Sequence, residues 1–198
     1  MPSTESSSTP ATGVSPEGRR TLLGVAWQTV IQRAADRPTP VINARDYPPE
    51  LRQVRATFVT LRVNEALRGC IGTCQAVRPL VEDVAHNAAA AASMDPRFPP
   101  LTMSDIPGLH LEISLLSVPE PLPVHSEEEL LDQVRPGVDG LLLEEGPHRG
   151  TLLPGVWEAL PEPRDFVRQL KLKAGLPADY WSPDIAVYRY TVESIEED

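Results

Sequence analysis

The sequence predicts an α+β fold, in which antiparallel sheets carry helices on their faces. Three observations predict it. The apolar pattern switches between a period of two and a period of 3.6 residues. The switches do not follow the regular strand–helix–strand alternation that builds a parallel sheet. Two apolar runs, "DGLLLEEG" and "GTLLP", flank a turn at Gly146-Pro147 and form a hairpin, which is an antiparallel unit.

The elements follow in order. Residues 1–18, "MPSTESSSTPATGVSPEG", are rich in Ser, Thr and Pro and predict a disordered tail. The stretch has no basic start and no apolar core, so it does not resemble a signal peptide. Residues 19–198 form one domain. Ser15-Pro16 reads as a cap followed by a first helical residue. Leu23, Ala26, Trp27, Val30, Ile31 and Ala34 then recur at helical spacing, which predicts a helix over 16–35. Pro38 and Pro40 end it, and 38–54 reads as an extended connector. "ATFVTLRV", 56–63, is a β-branched strand, and "NEA" turns the chain into "LRGCIG", a second strand or the loop leading into one.

A second helix spans Pro79 to about Met94, and its run Ala88–Ala92 lets another backbone approach closely. Asp95-Pro96 stops it. "LHLEISLLSV", 109–118, alternates: Leu109, Leu111, Ile113 and Leu115 face one way, and His110, Glu112 and Ser114 the other. Ser126 with Glu129 is a capping box for a short helix to about Val134. The hairpin strands are 139–144 and 150–153. A helix over 164–174 buries Phe166, Val167 and Leu170, and Gly175 with Pro177 terminates it. "DIAVYRYTVESI", 184–195, reads as one last strand.

Charge narrows the function. The chain of 198 residues has net charge −10, which disfavours nucleic acid and anionic membranes as partners. Residues 1–79 carry ten Arg and six acids, so the remainder carries eight bases and twenty-two acids. The uneven split reads either as two solvated faces or as an anion or peptide site near Arg68. Two cysteines make no disulfide framework, and no apolar run approaches a membrane span. A reduced, cytoplasmic setting is expected.

No phosphate loop, nucleophile elbow or zinc-protease motif is present, and His86, His110, His125 and His148 show no ligand spacing. No metal and no cofactor is expected. Cys70 and Cys74 would lie about 13 Å apart in a straight strand, too far for a disulfide, whose Cα atoms lie within about 7 Å. Cys70 has two readings. It is a small buried hydrophobe, or a working thiol whose pKa Arg68, on the same strand face, lowers below the free value of about 8.5. Gly69 and Gly72 beside it imply a bent backbone, a positive φ or a close approach. Asp95 and Arg97 of "DPRF" are a turn acid and its neighbour, or a device in which Arg97 reaches the "LRGCIG" strand.

Taken together, "ATFVTLRVNEALRGCIGT", "NAAAAASMDPRFPPL", "LHLEISLLS", "DGLLLEEGPHRGTLLP" and "KAGLPADYW", in this order, resemble the AMMECR-type domain family, the A component of the AmmeMemoRadiSam system. "LRGCIG" is the hallmark, with "DPRF" at the expected distance. The resemblance implies two unequal α+β subdomains joined by two crossings, the larger holding both termini. It also implies a cleft between them that "LRGCIG" faces. Its implied partners are a Memo-like protein and a radical S-adenosylmethionine protein. Two departures stand out: Gly155 where the family usually has Gln, and Lys171 near which it often has Cys.

The function expected is a binding or adaptor protein whose cleft takes a protein or peptide, working with those two partners in a modification. The binding candidates are Leu67, Gly69, Ile71, Gly72, Asn87, Asp95 and Arg97. The alternative is an enzyme in which Cys70 is the nucleophile or redox thiol, Arg68 depresses its pKa, and N–H groups near Gly69 and Gly72 stabilise an oxyanion.

Overall fold

A computed structural model of the protein describes residues 13–197. The tail expected over 1–18 therefore lies mostly outside the described residues. Its last part does not behave as a tail: Val14 is buried and Pro16 opens a helix. That helix, α1 (Pro16–Ala34), is capped by the Ser15 hydroxyl, which accepts from the Gly18 N–H at 3.0 Å. Glu50 in turn accepts from the Ser15 N–H and hydroxyl, at 3.0 and 2.6 Å. The buried face of α1 is centred on Leu22, Val25, Ala26, Thr29 and Val30. This is rotated from the expected stripe: Leu23 and Trp27 sit at its border and Ile31 is exposed. Thr29 can be buried because its hydroxyl is bonded to the Val25 carbonyl at 2.8 Å. The connector 38–54 is less extended than expected and contains two 3-10 turns, Ala44–Asp46 and Pro49–Arg52.

Two four-stranded antiparallel sheets follow. Sheet one contains β1 (Thr57–Val63), β2 (Ala66–Gly72), β3 (Leu109–Leu116) and β8 (Val192–Glu196), in the order β2-β1-β3-β8. Sheet two contains β4 (Glu120–Pro121), β5 (Gly140–Glu145), β6 (His148–Leu152) and β7 (Ala186–Tyr190), in the order β4-β7-β5-β6. Helices α1 and α2 (Leu80–Ser93) share a core with sheet one, built on Leu22, Val59, Leu61, Val84, Ala88 and Ile113. Helices α3 (Glu127–Gln133) and α4 (Pro163–Lys173) share a second core with sheet two, built on Leu130, Leu141, Leu143, Phe166, Val167 and Leu170. The capping box at α3 forms in part. Ser126 Oγ accepts from the Glu129 N–H, but Glu129 reaches back to the His125 N–H instead of that of Ser126.

One expected strand is two. Residues 184–195 form β7 and β8, which belong to different sheets and part at Thr191. Likewise the chain leaves β3 at Ser117 and enters sheet two at β4. These two crossings lie side by side: the Ser117 N–H donates to the Thr191 carbonyl at 2.9 Å, and the Thr191 N–H to Ser117 Oγ at 3.0 Å. An extended chain can continue straight from one sheet to the next, so its period-two pattern carries no mark of the change. Sheet two, with its helices, is thus an insertion between β3 and β8. A third apolar cluster at the junction, Ala56, Leu116, Leu142 and Tyr190, joins the halves.

Candidate functional site

Cys70 sits in β2, an outer strand of sheet one. It is directly opposite Thr60 of β1, so both side chains emerge on one face. The alternation of β1 identifies that face: Val59 and Leu61 point into the helix-covered core, Phe58 and Thr60 away from it. Cys70 therefore lies on the open face of sheet one, partly buried, with its Sγ accepting from the Thr60 hydroxyl at 3.3 Å. His110 and Glu112 of β3 share this face. Glu112 is directly across β1 from Cys70, two strand spacings or about 10 Å away, and His110 lies two residues further along β3.

The free edge of β2 is closed by the DPRF loop. The Cys70 N–H donates to Asp95 Oδ2 at 2.9 Å, and Arg97 Nη2 donates to the Cys70 carbonyl at 3.3 Å. The pair thus occupies both main-chain groups of Cys70 as a neighbouring strand would. Arg97 also grips Asp95 through Nε at 3.0 Å and Nη2 at 2.7 Å, and its own N–H donates to Asp95 Oδ1 at 3.1 Å. Those bonds from Arg97, with the Cys70 N–H, hold the Asp95 carboxyl well below the usual carboxylate range against the opposing effect of burial. Arg97 does reach "LRGCIG", as expected, although its outer side remains exposed and lies over the Phe98 ring.

Arg68 does not join Cys70. The register of β2 against β1 runs Leu61 to Gly69 and then Arg62 to Leu67, so Arg68 is the extra residue of a bulge. The bulge re-aims it into the 99–105 loop. Its Nη1 donates to the Pro99 carbonyl at 2.6 Å, and its Nη2 reaches the Pro100 carbonyl at 3.2 Å and Asp105 at 3.5 Å. Regular alternation places Arg68 beside the thiol, and the bulge removes that alternation. The guanidinium that contacts Cys70 is that of Arg97, which donates to the carbonyl and also interacts with the thiol side chain.

The two glycines act by closeness and not by φ. The glycines with positive φ among the described residues are Gly108, Gly137, Gly146 and Gly175. A Cβ on Gly69 would overlap the Ala91 carbonyl oxygen of α2, and one on Gly72 would overlap the Thr57 carbonyl and the Phe58 ring. The alanine run of α2 therefore does admit a backbone, that of β2. The amide nearest the thiol, that of Cys70 itself, is already bonded to Asp95, so it is not free to bind an oxyanion.

Asn87 is not on the surface. It is buried in α2, where Nδ2 donates to the Thr57 carbonyl and hydroxyl, both at 3.0 Å, and to Asp83 at 2.9 Å. Asp83 also accepts from the Thr57 N–H and hydroxyl, at 3.0 and 2.7 Å. This network pins α2 to β1 and commits the Asn87 amide nitrogen to the fold. Ile71 packs on the first core, and Leu67 is half-buried at the bulge. The sequence reading missed Thr60, whose role follows only from strand register, and Asp105. The T-x-x-D spacing of Thr102 and Asp105 was a usable signal: Asp105 accepts from the Thr102 N–H and hydroxyl, which lowers its pKa, and so stands fixed opposite Arg68.

Cys74 lies beyond β2 at the junction of the two sheets, packed on the third cluster. Burial pushes its thiol up. Of the two departures noted in the sequence, Gly155 borders open space, and Lys171 is buried with its Nζ 2.7 Å from Glu127. Among the described residues no group of His, Cys, Asp and Glu is arranged to hold a metal, and no helix is long and apolar enough to cross a membrane.

The comparisons agree with this architecture. The AMMECR1 family model matches residues 23–195. The chain belongs to the AMMECR1 family. A relative from Methanothermobacter thermautotrophicus is 41% identical over 159 residues, covering 77% of this chain and 81% of its own. One from Thermofilum pendens is 41% identical over 169 residues, with coverages of 77% and 78%. The crystal structure of the uncharacterized protein PH0010 from Pyrococcus horikoshii superposes with a TM-score of 0.80 at 34% identity, covering 93% of this chain and 94% of that one. The α+β class is shared with that structure, and "LRGCIG" in this chain is the clamped edge strand.

Proposed function

We propose that this AMMECR1-family chain is a binding and adaptor protein. Its recognition surface is the open face of sheet one around Cys70 and Thr60, which accepts a protein or peptide. Its partners are a Memo-like protein and a radical S-adenosylmethionine protein, and the common task is a modification reaction. One observation carries the reading. The charged groups nearest Cys70 are committed to holding backbone: Asp95 and Arg97 fix the Cys70 main chain, and Arg68 fixes the 99–105 loop. A proton-transfer site needs a base within hydrogen-bond reach of its nucleophile, and Glu112, with His110 further along β3, lies across β1 from Cys70 and out of that reach. A stiff, shaped surface needs the clamp that is present.

The second reading, Cys70 as a nucleophile, draws on two neighbours of the thiol: the Thr60 hydroxyl donates to Sγ, and the Arg97 guanidinium interacts with the same side chain. One experiment separates the two. The chain is co-purified with the Memo-like and radical S-adenosylmethionine proteins of its own organism, as wild type, Cys70→Ser and Thr60→Glu. An adaptor keeps its partners and the modification with Cys70→Ser and loses both with Thr60→Glu, which puts a charge on the surface. A nucleophile loses the modification with Cys70→Ser while retaining the partners. Failure of the wild-type chain to retain either partner overturns the adaptor reading. In alkylation with iodoacetamide at neutral pH, Cys74 should be the slower of the two thiols, because burial disfavours its thiolate.

A further inference from the structure

Beside the two crossings lies a cavity of about 520 Å³ whose walls come from both halves of the molecule. Arg55 precedes β1, Val118 and Thr191 lie on the crossings, Arg135 follows α3, and Arg189 lies in β7. A space of this size suits a small organic molecule. Three guanidiniums from separate segments therefore line one space, and like charges gathered there repel.

Each arginine is held differently. Arg55 donates to the Leu116 carbonyl through Nε at 3.0 Å and Nη2 at 2.7 Å, and burial lowers its pKa, so its charge is kept there at a cost. Arg135 is anchored to Asp139 at 2.6 Å with its outer side exposed. Arg189 forms no ion pair and no side-chain hydrogen bond among the described residues. Two acids also line the cavity. Glu50 spends both carboxylate oxygens on Ser15. Glu120 acts through space on Arg135 and stands across from Arg189 in the β4–β7 pair, with no ion pair between them. Three arginines against two glutamates leave the lining positive, in a chain of net charge −10. The cavity at His110, by contrast, sets Arg62 against Glu65, Glu112, Glu196 and Glu197.

We propose that this cavity binds a small organic anion, whose phosphate or carboxylate group is held by Arg189 and Arg135 and whose apolar part lies on Val118. A guanidinium offers a planar fork of donors that matches either oxyanion, and Arg189 has that fork uncommitted. The anion offsets the repulsion among the three arginines. Val118 is an exposed apolar side chain on the same wall, so the ligand gains from an apolar portion beside its charge. Because the lining joins both halves at the crossings, the bound molecule ties the halves together at the point where the chain passes between them. The lining contains neither Cys70 nor Thr60, so the proposal stands or falls apart from the adaptor reading of that face.

The test uses the full chain and three probes in isothermal titration calorimetry: phenyl phosphate, benzoate, and phenol as the uncharged analogue. At least one anion should bind saturably at one site at millimolar concentration, and phenol should not. The anion that binds more tightly names the source, a phosphate ester or a carboxylate. Arg189→Gln should weaken binding by about tenfold or more. It should not lower the melting temperature of the free chain, because it removes a like charge and breaks no bond. Arg164→Gln, which removes the same charge from exposed α4, should change the affinity by less than about twofold. Amide hydrogen exchange with the bound anion should slow around 117–118 and 191. No saturable binding of either anion would overturn the proposal. So would equal binding of phenol, equal losses in Arg189→Gln and Arg164→Gln, or protection confined to segments away from the crossings.

Discussion

The two halves of the molecule solve one packing problem with different chemistry. In each, an outer strand presents a glycine to a helical segment. Gly69 of β2 meets the Ala91 carbonyl of α2, and Gly150 of β6 meets Ala174 at the end of α4. The first half then fastens its helix with a buried polar network, in which Asp83 and Asn87 of α2 hold Thr57 of β1. The second fastens its helix with apolar surface. Phe166 of α4 stacks on Trp157 at 3.8 Å between ring centroids, and the indole N–H donates to the Asp139 carbonyl at 2.7 Å. Apolar contact is non-directional and tolerates small slips. A network of satisfied buried bonds has one register and is costly to leave half-made. The half that carries "LRGCIG" is therefore the half whose helix cannot slide on its sheet, and the position of Cys70 is fixed from behind by α2 and at the edge by Asp95.

The comparison can be broken most severely at the glycines. Gly69→Val and Gly150→Val should each cost more than about 4 kcal/mol, because the obstacle is backbone and cannot rotate away. Circular dichroism melts would show it, and a melting temperature unchanged for either would remove that close approach from the account. Next come the fastenings. Phe166→Ala should cost about 3–5 kcal/mol as a large core truncation. Asp83→Ala should cost about 3 kcal/mol by stranding the donors of Thr57 and Asn87. A double-mutant cycle sharpens the contrast: Asp83→Ala with Asn87→Ala should be strongly non-additive in urea titrations, by about 1–3 kcal/mol. Additive behaviour would mean that the polar network is not a unit.

A smaller effect concerns acid. The Asp95 carboxyl has a folded pKa below its unfolded value of about 3.9. The stability it contributes is complete above that value and falls away as pH drops toward the folded one. Asp95→Asn should therefore destabilise at pH 7, and the deficit should begin to shrink once pH falls below about 4 while most of it persists at pH 3, in paired melts at pH 7 and pH 3. An equal deficit at both would show that the bonds, and not the charge, are what matters. Least of all, Lys171→Met should change stability by no more than about 1 kcal/mol. Removing one member of an ion pair is costly when the other is left buried without water, and Glu127, the partner, is partly exposed and can be solvated. A loss of several kcal/mol would identify the Lys171–Glu127 pair as a polar fastening after all, and would erase the distinction between the halves.

Much of the fold was legible because its signals are local. Ser15-Pro16 starts α1, Gly175 with φ +82° follows α4, and the hairpin turns at Gly146 with φ +54°. Alternation placed His110 and Glu112 on one face of β3, opposite Leu111 and Ile113. What was hidden depends on partners far along the chain. The split at Thr191 needs two sheets to be visible as a split. The bulge at Arg68 is a property of register against β1, and nothing in "LRGCIG" alone reveals that one residue is skipped. Regular alternation then sent Arg68 to the wrong neighbour and left Thr60 unnoticed. Asn87 read as a binding candidate, while its partners lie in a strand thirty residues earlier and a turn away on its own helix.

The paired crossings at Ser117 and Thr191 also set an order of assembly. On a ribosome, β1, β2 and β3 emerge together with both helices of the first core, but β8 follows all of sheet two. Until it arrives, the outer edge of β3, with Ile113 and Leu115 along it, has no partner. Uncovered strand edges of this kind are where growing chains aggregate. The nascent chain must therefore hold one sheet unfinished while it completes the other. When Thr191 settles against Ser117, β8 is delivered to the waiting edge and the first sheet closes last.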